Sequence, residues 1–172
     1  MIKIISGKYK GKSLTSLSTK VVRPTQARVK KSLLQILEPY DGKAVLDLFS
    51  GIGTIGIEML SRGAESLTCV ENDRRVFKVL VENLKNTCSD DKIMVYCSDY
   101  KKYLNKENSN FFDIIFADPP YEGFDYKEIF EKSKPLLKKE GMFCMEMKKQ
   151  YTDEMFVRKI YGNTQIIFWS KT

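Results

Sequence analysis

Histidine is missing altogether from the 172 residues, and only four cysteines (Cys69, Cys88, Cys97 and Cys144) and five prolines occur. Without an imidazole there is no Ser-His-Asp or Cys-His triad, and no general base of the usual neutral-pH kind. No two cysteines form a C-x-x-C pair, so metal-ligand spacing is lacking, and a disulfide framework would be unusual in a chain this long. Cys69, Cys97 and Cys144 fall inside apolar runs where small thiols are commonly buried, so the cysteines read as structural and no metal is expected. Long hydrophobic runs are lacking too. The longest, such as residues 111–117, fall far short of the roughly 20 residues that cross a bilayer. Lys3, Lys8, Lys10 and Lys12 break up the start of the chain, so it does not read as a signal peptide. The expectation is a cytoplasmic protein without a membrane partner.

What is present is a composition of 42% hydrophobic and 30% charged residues, that of a globular domain. The length suits a single domain over 1–172, with a hairpin extension at 1–22 and a core from 44 to 172. Net charge is +7 and unevenly placed. Residues 1–43 hold ten lysines and arginines against two acids, a surplus of eight, while the remainder carries −1. Such a block is the electrostatic footprint expected for a polyanion, although a solvated basic face would have the same composition.

From residue 44 onward, apolar runs alternate with helical patterns. Strands are predicted at 44–48, 66–70, 92–97, 112–117 and 141–147, and helices at 54–62, 73–85 and 125–137. Val76, Phe77, Leu80, Val81 and Leu84 make one apolar helix face. The tail, 156–161 and 164–169 around Gly162-Asn163, reads as a hairpin. Before residue 44, strands at 2–5 and 12–17 precede a helix from Thr25, as cap, to Leu37. The fold class is α/β, a mostly parallel sheet closed by a hairpin. In such sheets ligands bind beyond the carboxyl ends of the strands, where Asp47, Glu71, Asp99 and Asp118 all fall.

Gly51-Ile52-Gly53-Thr54-Ile55-Gly56 is a G-x-G-x-x-G turn directly after a strand and opening a helix. Nicotinamide and flavin enzymes use the same turn for a pyrophosphate, but Asp47 before it would repel that group and suits a ligand with a cationic ammonium, as S-adenosylmethionine has. Glu71 can accept hydrogen bonds from ribose hydroxyls. Asp99 can accept from an adenine amine or cap a helix over 100–104.

The run Asp118-Pro119-Pro120-Tyr121 narrows the chemistry furthest. A base amine is a poor nucleophile because its lone pair is delocalised into the ring. Holding both N–H bonds lets the nitrogen pyramidalise. Asp118 offers a carboxylate acceptor and Pro119 a main-chain carbonyl. Neither proline contributes a competing N–H, and Pro120 keeps Pro119 extended. Tyr121 offers a flat face for an extruded base. The expected activity is methyl transfer from S-adenosylmethionine to an exocyclic amine of a nucleic-acid base.

The chain resembles the RsmD family of S-adenosylmethionine-dependent methyltransferases, which act on N2 of a guanine in 16S (small-subunit) ribosomal RNA. The residues that carry the resemblance are Ile4-Ile5-Ser6-Gly7 with Lys10-Gly11-Lys12, then Arg23-Pro24-Thr25 with Arg28, and Asp47 through Gly53. Leu60-Ser61-Arg62-Gly63-Ala64, Glu71 with Asp73, and Asp118 through Tyr121 complete them. Gln26-Ala27 and Lys30-Lys31 stand where the family usually carries acids. The resemblance implies a Rossmann-like sheet of seven strands with its last strand antiparallel. It implies cofactor contacts from Asp47, Phe49, Ser50, Gly51, Gly53, Glu71, Asn72, Asp99, Tyr100 and Asp118. Catalysis would fall to Asp118, Pro119, Pro120 and Tyr121, and RNA contact to Lys8, Lys10, Lys12, Arg23, Pro24, Thr25 and Arg28. The expected partner is 16S ribosomal RNA, free or in a small subunit, and the expected state a monomer. The alternatives are a DNA adenine-N6 or cytosine-N4 methyltransferase, and a non-catalytic RNA-binding module.

Overall fold

Apolar residues that alternate along strands and recur at helical spacing between them must be covered on both faces of a sheet, and the chain folds accordingly. A computed structural model describes residues 2–17, 24–105 and 111–172. A short hairpin, β1 (Ile2–Lys3) with β2 (Ser13–Leu14), is followed by α1 (Pro24–Ile36), β3 (Ala44–Leu48), α2 (Thr54–Ser61), β4 (Ser66–Glu71) and α3 (Arg74–Cys88). Then come β5 (Lys92–Cys97), α4 (Tyr100–Leu104), β6 (Phe112–Ala117), α5 (Tyr126–Ser133), a 3-10 turn (Lys134–Leu136), β7 (Leu137–Lys148), β8 (Val157–Tyr161) and β9 (Thr164–Ser170).

The seven-stranded sheet runs β5-β4-β3-β6-β7-β9-β8. Its first five strands are parallel, and β9 lies antiparallel between β7 and β8. This is the Rossmann-like arrangement expected from the sequence. One face buries Leu33 and Leu34 of α1, Leu60 of α2 and Leu80 of α3 against Val45, Phe116 and Cys144. The other buries Tyr100 and Tyr103 of α4 and Ile129 and Phe130 of α5 against Leu46, Ile115 and Phe143. Phe130 meets Phe143, Phe156 and Trp169 edge-on, with centroids 4.8–5.3 Å apart, so the terminal hairpin is locked to α5. No helix among the described residues is long and apolar enough to cross a membrane.

Several element ends differ from the sequence reading. The helix expected through Leu137 stops at Ser133, because Pro135 has no N–H to continue the ladder and the chain tightens into a 3-10 turn. β7 then starts at Leu137 rather than Gly141. Helix α1 begins at Pro24, which places Thr25 inside the first turn rather than at the cap. The N-terminal hairpin keeps only two residues per strand, since Ile5 N donates to Glu58 Oε1 and Thr15 N to Asn83 Oδ1 instead of to a neighbouring strand.

The N-terminal segment is docked on the last turn of α2. Lys8 N donates to the Ser61 carbonyl at 2.8 Å, Tyr9 N to Ser61 Oγ at 2.9 Å, and Ser61 Oγ to the Ser6 carbonyl at 2.5 Å. Gly7 sits at φ +81°, and a β-carbon there would lie 1.7 Å from the Ser61 carbonyl oxygen. Gly7→Ala combines a left-handed backbone with backbone overlap, so it should lower unfolding free energy by roughly 1–3 kcal/mol. Urea titration of the two proteins checks this, and an unchanged midpoint would contradict the docking.

Candidate active site

Register brings β3, β4 and β6 to their ends at one edge of the sheet, with β7 running on beside them. Leu48 pairs with Val70 and with Ala117, and Ala117 pairs with Met145. The next residues along these parallel strands are Phe49, Glu71, Asp118 and Glu146, and all four line one cleft of about 540 Å³. Asn72, Asp73, Ser98, Asp99, Tyr100, Pro119, Pro120, Tyr121 and Phe124 complete the wall together with Val70. The cleft therefore holds five carboxylates, and no lysine or arginine is among its lining residues.

The glycine turn is built by its neighbours. Asp47 is 1% exposed, and its Oδ2 accepts from Gly56 N at 3.1 Å. Ser50 Oγ donates to the Asp47 carbonyl at 2.6 Å and accepts from Val70 N at 3.1 Å. A β-carbon at Gly56 would come within 2.9 Å of Leu67 and 3.0 Å of Asp47 Oδ2, so this glycine permits the close helix–strand approach. Gly53, at φ +89°, occupies the N-cap of α2, and a β-carbon there would lie 2.8 Å from Leu80 Cδ1. Asp47, Ser50, Gly51 and Gly53 are consequently not among the lining residues. The Asp47 carboxyl, expected to face an ammonium, is buried beneath the turn with one oxygen on Gly56 N. Burial pushes Asp47 up to about 8, with the charges of Asp118 and Glu71 adding to the effect and the Gly56 N–H opposing it. Its Oδ1 has no hydrogen-bond partner among the described residues.

Glu71 does reach the cleft. Its Oε2 accepts from Gly51 N at 2.9 Å and its Oε1 from Asp73 N at 2.8 Å, which fixes the carboxylate and leaves further lone pairs for a ligand. Of the two roles open in the sequence for Asp99, the structure shows the cap. Its Oδ1 caps α4 by accepting from Lys101 N at 2.9 Å, and the residue is exposed on the cleft wall. Phe49 (φ +63°), Tyr100 and Phe124 form an aromatic cluster, with Phe49 5.0 Å from Tyr100 and 5.2 Å from Phe124. Two acids at one side of the cleft and an apolar aromatic floor suit the hydroxyls and the ring of an adenosine.

At the other side stands the Asp118 run. Asp118 N donates to the Leu48 carbonyl at 3.4 Å, but no hydrogen bond or ion pair is recorded for its carboxylate among the described residues. The residue opens onto the cleft while protein crowds it from behind, and the resulting desolvation holds its carboxyl above the ordinary range. Tyr121 is 50% exposed, and its hydroxyl shares a 2.7 Å hydrogen bond with Thr164 Oγ1, so the ring is tethered to β9. Glu146 and Phe124 were not identified from sequence. Glu146 had one signal, a lone acid in the otherwise apolar run 142–147. Desolvation first, and then the Asp118 charge, hold its carboxyl above the usual range.

Of the expected RNA-binding residues, two lysines are engaged within the protein. Lys8 pairs with Asp91 at 2.5 Å, and Lys12 donates to the Thr87 carbonyl at 3.0 Å. Asp91 and Thr87 flank the last turn of α3, at the edge opposite the cleft, and exposed Lys10 belongs to the same loop. Arg28 is exposed on α1, while Arg23 and the side chains of Pro24 and Thr25 lie outside the described residues.

The level acids, the glycine turn and the sheet order define a class I S-adenosylmethionine-dependent methyltransferase fold. The family described as "Conserved hypothetical protein 95" matches residues 2–170. The chain belongs to this family, that of the RsmD methyltransferases, and S-adenosylmethionine is its cofactor. YlbH of Bacillus subtilis (strain 168) is 32% identical over 99% of both chains. Ribosomal RNA small subunit methyltransferase D of Escherichia coli (strain K12) is 33% identical over 84% of this chain and 71% of its own. The solved structure of yhhF from Escherichia coli superposes with a TM-score of 0.86 at 27% identity, covering 99% of this chain and 97% of that one.

The raised Asp47 carboxyl has a consequence for stability. Its folded pKa exceeds its unfolded one, so between about pH 4 and 8 the native state holds a proton that the unfolded chain has lost. Stability therefore falls as pH rises through this window. Asp47→Asn should flatten that slope in urea midpoints measured from pH 5 to 9, and an unaltered slope would place the titration elsewhere.

Proposed function

We propose that the protein transfers a methyl group to the exocyclic N2 of a guanine in 16S (small-subunit) ribosomal RNA. The observation that carries this reading is the unpartnered Asp118 carboxylate, set beside Pro119 in the cleft that Glu71 and Asp99 also line. Relatives named as ribosomal RNA small subunit methyltransferases support the class of substrate. When bound, S-adenosylmethionine supplies a methyl on a sulfonium, and the electron pair of the breaking C–S bond stays on sulfur.

The chain's own groups position the acceptor. Asp118 and the Pro119 carbonyl take the two N–H bonds of the amine, which frees the lone pair from the ring and points it toward the donor side of the cleft. Asp118 also faces the positive charge that grows on nitrogen as the N–C bond forms. The alkylated amine then releases its proton to Asp118 or to water. Tyr121, tethered through Thr164, offers its ring to the extruded base. Most of the acceleration on this reading comes from orientation and fixed charge, which suits a chain without histidine.

The test is methyl incorporation from labelled S-adenosylmethionine into unmodified small subunits, stripped ribosomal RNA and duplex DNA, with the labelled nucleoside identified by mass. N2-methylguanosine from a ribosomal sample is expected, whereas label in DNA adenine or cytosine would overturn the reading. Asp118→Ala should lower turnover by roughly a hundredfold or more, the scale of losing one aimed electrostatic group. Calorimetry with S-adenosylhomocysteine should find cofactor affinity close to that of the parent.

RNA contact is assigned to the N-terminal end of α1 rather than to the lysine loop. Arg28→Ala and Arg23→Ala should each weaken RNA binding and reduce the salt slope by about one counterion. Lys8→Ala, which removes a cation already paired with Asp91, should leave that slope unchanged. Equal slopes in all three variants would contradict the assignment.

A further inference from the structure

The reading above gives two cleft acids no task, and of these Asp73 caps α3 by accepting from Arg75 N and Val76 N, which leaves Glu146. It stands in a strand segment that is otherwise apolar, Met142 to Met147, between the buried side chains of Met145 and Met147. No hydrogen bond or ion pair is recorded for its carboxylate among the described residues, and no cation lines the cleft it faces. A half-buried carboxylate without a donor costs free energy in the unliganded protein. A ligand that brings donors removes that cost.

The sheet order says which ligand this is. β4, with Glu71, and β5, followed by Asp99, lie on one side of β3, while β6 with Asp118 and β7 with Glu146 lie on the other. Because Ala117 is in register with Met145, Asp118, just past the end of β6, and Glu146, still within β7 and paired with Ile166 of β9, are neighbours. Glu146 is thus on the far side of Asp118 from the adenosine-binding half, where the acceptor base must enter. Asp118 takes the amine, so Glu146 meets the atom next to it on the base edge.

That atom differs among bases. In adenine the ring nitrogen beside the amine on the pairing edge is N1, and in cytosine it is N3. Both present a lone pair, which a carboxylate repels. In guanine the neighbour of the N2 amine is N1–H, a donor. We propose that Glu146 accepts the N1–H of the target guanine and so determines the choice of base. This rests on the guanine-N2 reading above. The two carboxylates and the Pro119 carbonyl would then satisfy all three donors of the guanine edge, and the same constellation would turn away adenine and cytosine.

The test uses small-subunit RNA carrying either guanine or 2-aminopurine at the position mapped by the incorporation assay. 2-Aminopurine keeps the N2 amine but has an unprotonated N1. The parent enzyme should prefer guanine by roughly 10- to 100-fold in kcat/KM, the range for one correctly paired base contact. Glu146→Gln can offer an N–H to an unprotonated N1. It should lose guanine activity by a similar factor and bring 2-aminopurine within a few-fold of guanine. Glu146→Asp retains the charge but shortens the reach, and should lose guanine activity without gaining 2-aminopurine. S-adenosylhomocysteine binding by calorimetry should be unchanged in both variants. Equal use of the two bases by the parent enzyme would overturn the assignment without any variant. So would a Glu146→Gln protein that loses both substrates in proportion. Absence of N2-methylguanosine from the parent reaction would instead overturn the guanine reading itself.

Discussion

The cleft depends on the register of four parallel strands. Each buried position of β3 is matched to one of β4 and one of β6, and β6 to one of β7, so that β3, β4 and β6 end within a residue of one level while β7 runs on beside them to Lys148. Register in a sheet covered on both faces is set by side-chain alternation, because a slip by one residue would send every apolar side chain to the wrong layer. Val45 belongs to the core under α1 and α2, and Leu46 to the core under α4 and α5. The two cores therefore hold Asp118 beside Glu146, with Glu71 across β3 from them, and no hydrogen bond links the three among the described residues. A chain that places mutually repelling carboxylates together relies on packing elsewhere to keep them there.

A second constraint is the fastening of the N-terminal segment. Ser6 and Gly7 dock against Ser61, so two of the sequence runs that carry the family resemblance are in contact with each other. Beside them Glu58 is fully buried, accepts Ile5 N, and lies 3.6 Å from both Lys30 and Arg62. Arg62 in turn pairs with Glu38 at 2.6 Å. Burial lowers Lys30 from its ordinary value against the pull of Glu58. This network ties the hairpin, α1 and α2 together at the edge away from the cleft. Buried pairs of this kind specify an arrangement more than they stabilise it, since desolvation offsets much of the attraction.

The same network explains why the site was less legible in the sequence than the fold. Strands from Ala44 onward were readable because their apolar runs are continuous, and α3 because its stripe is regular. Charge was harder to interpret. A surplus of positive residues before residue 44 looked like one electrostatic footprint, yet Lys8, Lys12 and Lys30 are engaged by Asp91, a carbonyl and Glu58. Strand-end acids were similarly ambiguous. Three of the four, Glu71, Asp99 and Asp118, line the cleft, but Asp47 turns beneath the glycine loop. Periodicity places a residue at a strand end, whereas only the packing of Gly56 and Leu67 decides which way its side chain turns. Glu146 was hidden for the converse reason, since its neighbours made the segment look like ordinary core.

The missing histidine and the surplus of carboxylates belong to one chemical logic. An amine conjugated to a base ring is a weak base, so a proton-abstracting group would gain little before the bond to carbon forms. What the nitrogen lacks is an available lone pair, and acceptors on its N–H bonds provide that by geometry alone. Once the new bond begins to form, positive charge appears where none was before, and a carboxylate kept short of water responds to it strongly. On the proposed reading Asp118 is that group, exposed toward the cleft and desolvated behind. An imidazole in its place would bring a donor as well as an acceptor and would be cationic over part of the working pH range, opposing the charge it should stabilise. A cleft walled by carboxylates and aromatic rings, with no cation among its lining residues, is therefore complete for this chemistry without a histidine.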